Sequence, residues 1–252
     1  MELPRDLVRA LCAAEHVAVL TGAGMSAESG VPTFRDAQTG LWSQFAAEDL
    51  ATPEAWERDR AFVWAWYLWR FGRVRDVAPN AGHHALAEWA AGAGAPDIGV
   101  VTQNVDDLHE RAGSAPVVHL HGSLAAHRCE ACNTPYDEPI VLPEGEADRI
   151  DPPTCAVCGA SIRPGVVWFG ELLPMDAWDE AVRLVESADV VLVVGTSGIV
   201  HPAAALPAMA RGTGALVVEV NPVETEISDL AHHVLRSTAA VALPALVAAA
   251  RR

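Results

Sequence analysis

The chain has 252 residues, 51% of them apolar, which suits one large domain or a large one carrying a smaller insertion. Its 17 basic and 33 acidic side chains give a formal charge of −16, which disfavours a nucleic-acid partner, because phosphate binding needs basic side chains. No apolar run reaches the roughly 18 residues of a membrane span and charges between Glu2 and Glu15 spoil a signal peptide, so a cytoplasmic protein away from membranes is expected.

The first predicted element is a buried strand, Val17 to Leu20, running into a glycine-rich turn, after which Ser26 or a neighbour begins a helix. The pattern Gly22-x-Gly24-x-x-Ala27 lets backbone approach a pyrophosphate at a helix N-terminus. Any tight strand-to-helix turn favours glycine, so the pattern alone is weak. The acidic residue expected about 20 positions on in an ordinary NAD dehydrogenase is not evident.

Residues 36–77 are rich in tryptophan and helical in pattern. If 57–75 form a helix, Phe62, Trp66 and Trp69 share a core-facing stripe, with Val63, Tyr67 and Arg70 on the stripe beside it. Tyr67 and Arg70 are then neighbours one turn apart. One reading is packing, with the arginine snorkelling over tryptophan and the tyrosine finding a backbone partner. The other is a pair that reads a ligand in a pocket.

A helix is predicted over 81–91, then a strand over 98–102 ending in Gln103, Asn104 and Asp106, and a short helix closed by Gly113. The amides and carboxylate suit ribose hydroxyls or a carboxamide, and equally suit a helix cap. His119 and His121 follow another short apolar run. A histidine at a strand end can serve as a general base, and it can also be a satisfied structural residue.

Residues 126–163 carry Cys129-x2-Cys132 and Cys155-x2-Cys158, 22 residues apart, in a proline-containing segment without helical periodicity. Two such knuckles, at a spacing just beyond the common range of about 15–20, point to a structural zinc with no open coordination position, the alternatives being two redox-active pairs or unpaired core cysteines. The fifth cysteine, Cys12, makes an odd count, which argues against a disulfide framework. "RPGVVWFGE" (163–171) reads either as a core strand or as an exposed edge that pairs with an extended peptide. A helix over 176–187, a strand over 190–194 running into Gly195-Thr196-Ser197, a helix over 202–211 and a strand over 215–220 ending at Asn221 complete the pattern.

Short apolar strands alternating with helices imply a Rossmann-like, doubly wound parallel α/β sheet. Ligands bind such sheets beyond the carboxyl ends of the strands, where small and polar residues gather here. The segments 36–77 and 126–163 interrupt the scheme and read as a helical insertion and a zinc-ribbon insertion that together form a smaller lobe.

"GAGMSAESGVPTFRD", "TQNVDDLHERAG", "HLHGSL", the cysteine pairs, "VVWFGE", "GTSGIVHPAA" and "VEVNP" occur in the order seen in sirtuins. The chain resembles these NAD-dependent protein-lysine deacylases over nearly its whole length, as a single catalytic domain over 1–252 from which regulatory tails are expected to be absent. The resemblance implies NAD as co-substrate, structural zinc, acyl-lysine proteins or peptides as substrates, and a monomer. It places Gly22, Ala23, Gly24 and Ala27 along the NAD phosphates, and Phe34 and Arg35 on a cofactor loop. Gln103, Asn104 and Asp106 would meet nicotinamide and its ribose. Gly195, Thr196 and Ser197 would hold phosphate and ribose, Asn221 the adenosine ribose, and backbone near Ala239 the adenine.

In the implied reaction the acyl oxygen attacks the ribose carbon bearing nicotinamide, and nicotinamide leaves. His121, assigned to catalysis together with Asn104, then accepts a proton from a ribose hydroxyl so that this hydroxyl attacks the imidate carbon, and water completes release of lysine and O-acyl-ADP-ribose. Val167, Trp168, Phe169 and Gly170 would pair with the peptide and thread its lysine. Sirtuins of class III carry a Tyr-x-x-Arg pair that binds the carboxylate of succinyl- or malonyl-lysine, and Tyr67 and Arg70 match it. The resemblance therefore implies a desuccinylase or demalonylase that also deacetylates. Mono-ADP-ribosyl transfer and non-catalytic NAD sensing are the competing readings; a sensor would not need a base such as His121.

Overall fold

The computed structural model describes residues 1–31, 42–43, 45–145 and 147–251. Along the chain run α1 (Arg5–Ala13), β1 (His16–Thr21), α2 (Ala47–Leu50), α3 (Pro53–Arg58), α4 (Arg60–Arg75) and α5 (Ala81–Ala90). Then come β2 (Asp97–Thr102), α6 (Leu108–Ala112), β3 (Val117–His119), β4 (Gly122–Cys129), β5 (Pro135–Tyr136) and β6 (Ile162–Val166). The last stretch holds α7 (Met175–Ser187), β7 (Val190–Val194), α8 (Leu206–Gly212), β8 (Leu216–Val220), β9 (His233–Leu235) and α9 (Ala239–Ala250).

Six strands form one parallel sheet in the order β3-β2-β1-β7-β8-β9. Valine dominates its centre because a strand covered on both faces must be apolar at every position. Alternate residues feed two cores. Val17, Val19, Val190, Leu192 and Val218 pack with α1, α5 and α9, whereas Ala18, Leu20, Val191, Val193 and Val217 pack with α7 and α8. The strand order reverses between β1 and β7, which leaves a crevice at their carboxyl ends.

A second, antiparallel sheet, β5-β4-β6, packs with α3 and α4 in a separate core containing Trp56, Trp64, Trp66, Tyr67, Leu124, Ile162 and Trp168. The doubly wound sheet with a smaller lobe is thus present.

Three local expectations need correction. The glycine turn is followed by two 3-10 turns, Ala23–Met25 and Ala27–Ser29, and the second closes at Gly30 with φ 90°. Left-handed backbone at Gly30 terminates the turn before an α-helix can propagate. The helix expected over 57–75 is broken at Asp59, whose φ of −158° and ψ of 82° lie outside the helical region. Asp59 ends α3 and caps α4, its carboxylate accepting the Phe62 N–H at 3.1 Å. Finally, the helix expected over 202–211 opens as a 3-10 turn, Ala203–Ala205, before α8 begins.

The α4 stripe also differs. Six consecutive residues, Val63 to Leu68, are buried, while Phe62 and Trp69 are only half-buried. A stripe assumes one wet face, but α4 is enclosed by its neighbours in the small core. Tyr67 is therefore as deeply packed as Trp66.

Candidate active site

The turns after β1 and β7 lie against each other. Gly22 N–H donates to Val194 O at 3.0 Å and Gly24 N–H to Gly195 O at 2.8 Å. A Cβ on Gly24 would stand 2.7 Å from Gly195 Cα, and one on Gly22 would stand 2.8 Å from Thr196 Cβ. Gly195 itself has φ 62°. These glycines are thus required by turn-to-turn packing, and the N–H groups of Gly22 and Gly24 are already spent. What the pair offers a ligand is close approach to bare backbone.

Polar side chains at the strand ends form two hydrogen-bonded groups. Gln103 Nε2 donates to Thr196 Oγ1 at 3.1 Å, and Asn221 Nδ2 donates to Thr196 O at 3.1 Å. Asn104 Nδ2 donates to Ser26 Oγ at 3.1 Å, and Ser26 is hydrogen-bonded to Asp106. Beneath them Asn104 N–H is held by Thr102 Oγ1 at 3.0 Å, and Thr21 Oγ1 donates to the same oxygen at 2.9 Å. Asp106 also accepts Leu108 N–H at 3.2 Å, tying the start of α6 to the segment after β2. Burial pushes its carboxyl above the usual range, while the Ser26 and Leu108 hydrogen bonds oppose this. Ser26, almost wholly buried and suggested by sequence only as a helix start, joins Asn104 to Asp106.

His121 Nδ1 lies 3.0 Å from Gln103 O. A carbonyl can only accept, so Nδ1 carries the proton and Nε2 keeps its lone pair. Burial lowers its pKa, partly offset by that bond, so the ring is neutral near pH 7. His119 is different. Its Nε2 lies 2.6 Å from Glu110 and its Nδ1 3.3 Å from Asn104 O, two acceptors that an imidazolium alone can satisfy together. Burial works against that charge, but Glu110 overcomes it and the pKa is raised.

From the small lobe, α4 brings Tyr67 and Arg70. The Tyr67 hydroxyl accepts from Trp168 Nε1 at 3.0 Å, a side-chain partner where the sequence suggested a backbone one. Burial pushes the phenol up to about 12. The Arg70 guanidinium lies 5.0 Å from the Trp66 ring centre and 6.0 Å from that of Tyr67. Burial lowers its pKa, and the charges of Tyr67 and Asp106 oppose the shift, which puts α4 and the segment after β2 within electrostatic reach.

"RPGVVWFGE" is divided. Residues 162–166 form β6, then the chain leaves the strand, with Val167 N–H on His121 O at 2.8 Å and Phe169 N–H on Ala51 O at 2.9 Å. Phe169 is 47% exposed, and Gly170 turns the chain at φ 88°. Ala27 lies in the second 3-10 turn, Ser197 O accepts Glu226 N–H, and Ala239 is buried at the start of α9 against Gly82. Phe34 and Arg35 lie outside the described residues.

Cys129, Cys132, Cys155 and Cys158 bring their sulfurs within 4.8 Å of one another. Pairs stand 3.4, 3.5 and 3.7 Å apart. A zinc tetrahedron with bonds of about 2.3 Å has edges of about 3.8 Å, so the thiolates fit the ion with no fifth ligand needed.

Residues 22–202 match the model of the Sir2 family. An NAD-dependent protein deacylase of Methylococcus capsulatus is 51% identical over 254 residues, spanning 100% of this chain and 99% of that protein. One from Mycobacterium tuberculosis is 52% identical over 232 residues, spanning 92% and 96%. A solved Sir2 homologue–NAD complex has a TM-score of 0.89 at 44% identity, covering 99% of this chain and 94% of its own.

Proposed function

The chain belongs to the Sir2 family, and from that premise we propose an NAD-dependent protein-lysine deacylase that favours acyl groups ending in a carboxylate. The observation that carries the preference is the pairing of buried Tyr67 with half-buried Arg70, one donor-capable hydroxyl and one guanidinium one helical turn apart, within electrostatic reach of Asp106. Arginine suits a carboxylate because its planar fork matches two oxygens, and burial strengthens the pairing.

NAD, when bound, supplies the ribose carbon that accepts the acyl oxygen as nicotinamide leaves. The chain's residues prepare for this. Gln103 and Asn221 are held on Thr196 and Asn104 is held on Ser26 by hydrogen bonds at the strand ends, so they would meet the ribose and carboxamide already oriented. Ala23, Ala27, Ser197 and Ala239 complete the proposed cofactor surface beside the glycines. His121 presents an unprotonated Nε2 and is the proposed general base. Val167, Phe169 and Gly170, past the end of β6, would pair with the acyl-lysine peptide.

Zinc held by the four thiolates would close the small lobe as a structural ion, supplying no reactive position. Unbridged thiols in this arrangement support a reducing, cytoplasmic setting. Among the described residues no helix is long and apolar enough to cross a membrane.

The test is a panel of succinyl-, malonyl- and acetyl-lysine peptides with NAD, read by mass spectrometry. Release of O-succinyl-ADP-ribose faster than O-acetyl-ADP-ribose supports the proposal. Retention of labelled ADP-ribose on protein, with no acyl transfer, would support ADP-ribosylation instead.

A further inference from the structure

Trp168 is gripped from three sides. Arg163 lays its guanidinium carbon 3.4 Å from the centre of the Trp168 ring. The same guanidinium makes a bidentate pair with Glu171, Nη1 to Oε1 at 2.6 Å and Nη2 to Oε2 at 2.9 Å, and reaches Val166 O at 3.2 Å. Glu171 Oε2 in turn accepts the Trp168 backbone N–H at 2.8 Å. The Arg163 side chain is only 8% exposed, so this pair is shielded from water and its geometry is tightly held. Burial works against the ionised Glu171, but hydrogen bonds from Arg163 and Trp168 keep its carboxyl below the usual range.

The consequence lies at Tyr67. An indole N–H can only donate, so the Tyr67 oxygen must act as acceptor toward Trp168. Among the described residues Trp168 is its hydrogen-bond partner. The phenol has a single proton, and this contact leaves that proton for another acceptor. A carboxylate is acceptor-only, whereas the methyl of an acetyl group accepts nothing. A cation over the indole face also draws electron density from the ring and strengthens its N–H as a donor.

We propose that Arg163 and Glu171 are positioning residues for acyl selectivity: by clamping Trp168 they fix the Tyr67 hydroxyl as a donor that favours a carboxylate-bearing acyl chain. The inference rests on the acidic-acyl reading of Tyr67 and Arg70 and deepens it. Arg163 and Glu171 act through the tryptophan rather than by touching substrate.

The experiment compares kcat/KM for succinyl- and acetyl-lysine peptides in wild type, Trp168→Phe and Glu171→Gln. Trp168→Phe keeps an aromatic ring under Arg163 and removes the N–H. The succinyl-to-acetyl ratio is expected to fall about tenfold in Trp168→Phe and about threefold in Glu171→Gln, mainly through the succinyl KM. A wild-type ratio near one removes the acidic-acyl reading and this inference with it. A wild-type ratio well above one that both variants retain, or an equal decline for both peptides, overturns the clamp alone. Hydrogen exchange of the Trp168 indole proton, followed by NMR, tests the contact without turnover. It is expected to be slow in wild type and fast in Tyr67→Phe; fast exchange already in wild type contradicts the clamp.

Discussion

The indole N–H of Trp168 donates to the hydroxyl of Tyr67 across 3.0 Å, joining residues 101 positions apart in the chain. The first follows the end of β6 and the second lies within α4, so the segment proposed to hold the peptide and the pair proposed to read the acyl chain share one hydrogen bond. Under those two proposals, acyl choice and peptide placement would be coupled through the small core.

The base assignment predicts an acidic limb in the pH profile. His121 must be unprotonated to act, and burial places its pKa below the ordinary value of about 6.5. Activity should rise with pH through a midpoint below that value and level off by neutrality. His121→Ala should lose about 10²–10⁴-fold in kcat. A midpoint above the ordinary value, or normal turnover by the alanine variant, would contradict the assignment.

Stability should fall on mild acidification. Burial holds His83 down to about 4 and, with charge from neighbouring histidines, His109 down to about 3. The unfolded chain therefore binds these protons first, and stability is lost as pH falls below about 6.5. Between pH 7 and 5 the cost is on the order of 2 kcal/mol from each. His119, with a raised pKa, acts in the opposite sense, its contribution being complete below its unfolded pKa and lost as pH rises through the folded one. Urea midpoints of wild type and His119→Gln at the two pH values separate the two contributions; a variant midpoint that does not fall on acidification would refute the neutral buried pair.

Replacing Gly24 by alanine should separate the two turns. The new methyl meets Gly195 backbone at 2.7 Å, and backbone cannot yield as a flexible side chain would. The expected cost is about 1–3 kcal/mol of stability, with weaker NAD binding. Calorimetry on the variant checks both, and wild-type NAD affinity would show that the packing is not needed for the site.

Zinc should be stoichiometric and structural. Cys155→Ser removes a buried thiolate from the cluster and is expected to lower zinc content below one per chain and the melting temperature by roughly 10 °C. Full zinc content in the variant would mean that the four sulfurs are not the ligand set.

The central strands were legible because burial on both faces leaves runs of valine, as in "VVLVV" of β7. The three-residue β9 was not, since its Val234 is partly exposed and so short a strand shows no period. Periodicity also misread α4. It separated a packing stripe from a reading stripe, but enclosure by the small core buries Tyr67 as fully as Trp66. Motif order pointed to the strand-end residues, whereas Ser26 and the Arg163–Glu171 pair depend on contacts between distant segments or across a turn that spacing does not display.

The most direct measurement is the ratio of succinyl- to acetyl-peptide kcat/KM in wild type and in Tyr67→Phe/Arg70→Met. The ratio is expected to be well above one in wild type. Loss of a buried charge-assisted pairing should reduce it by about 10- to 100-fold in the double variant. A ratio that is the same in both proteins would contradict the assignment of Tyr67 and Arg70 as the readers of the acyl carboxylate.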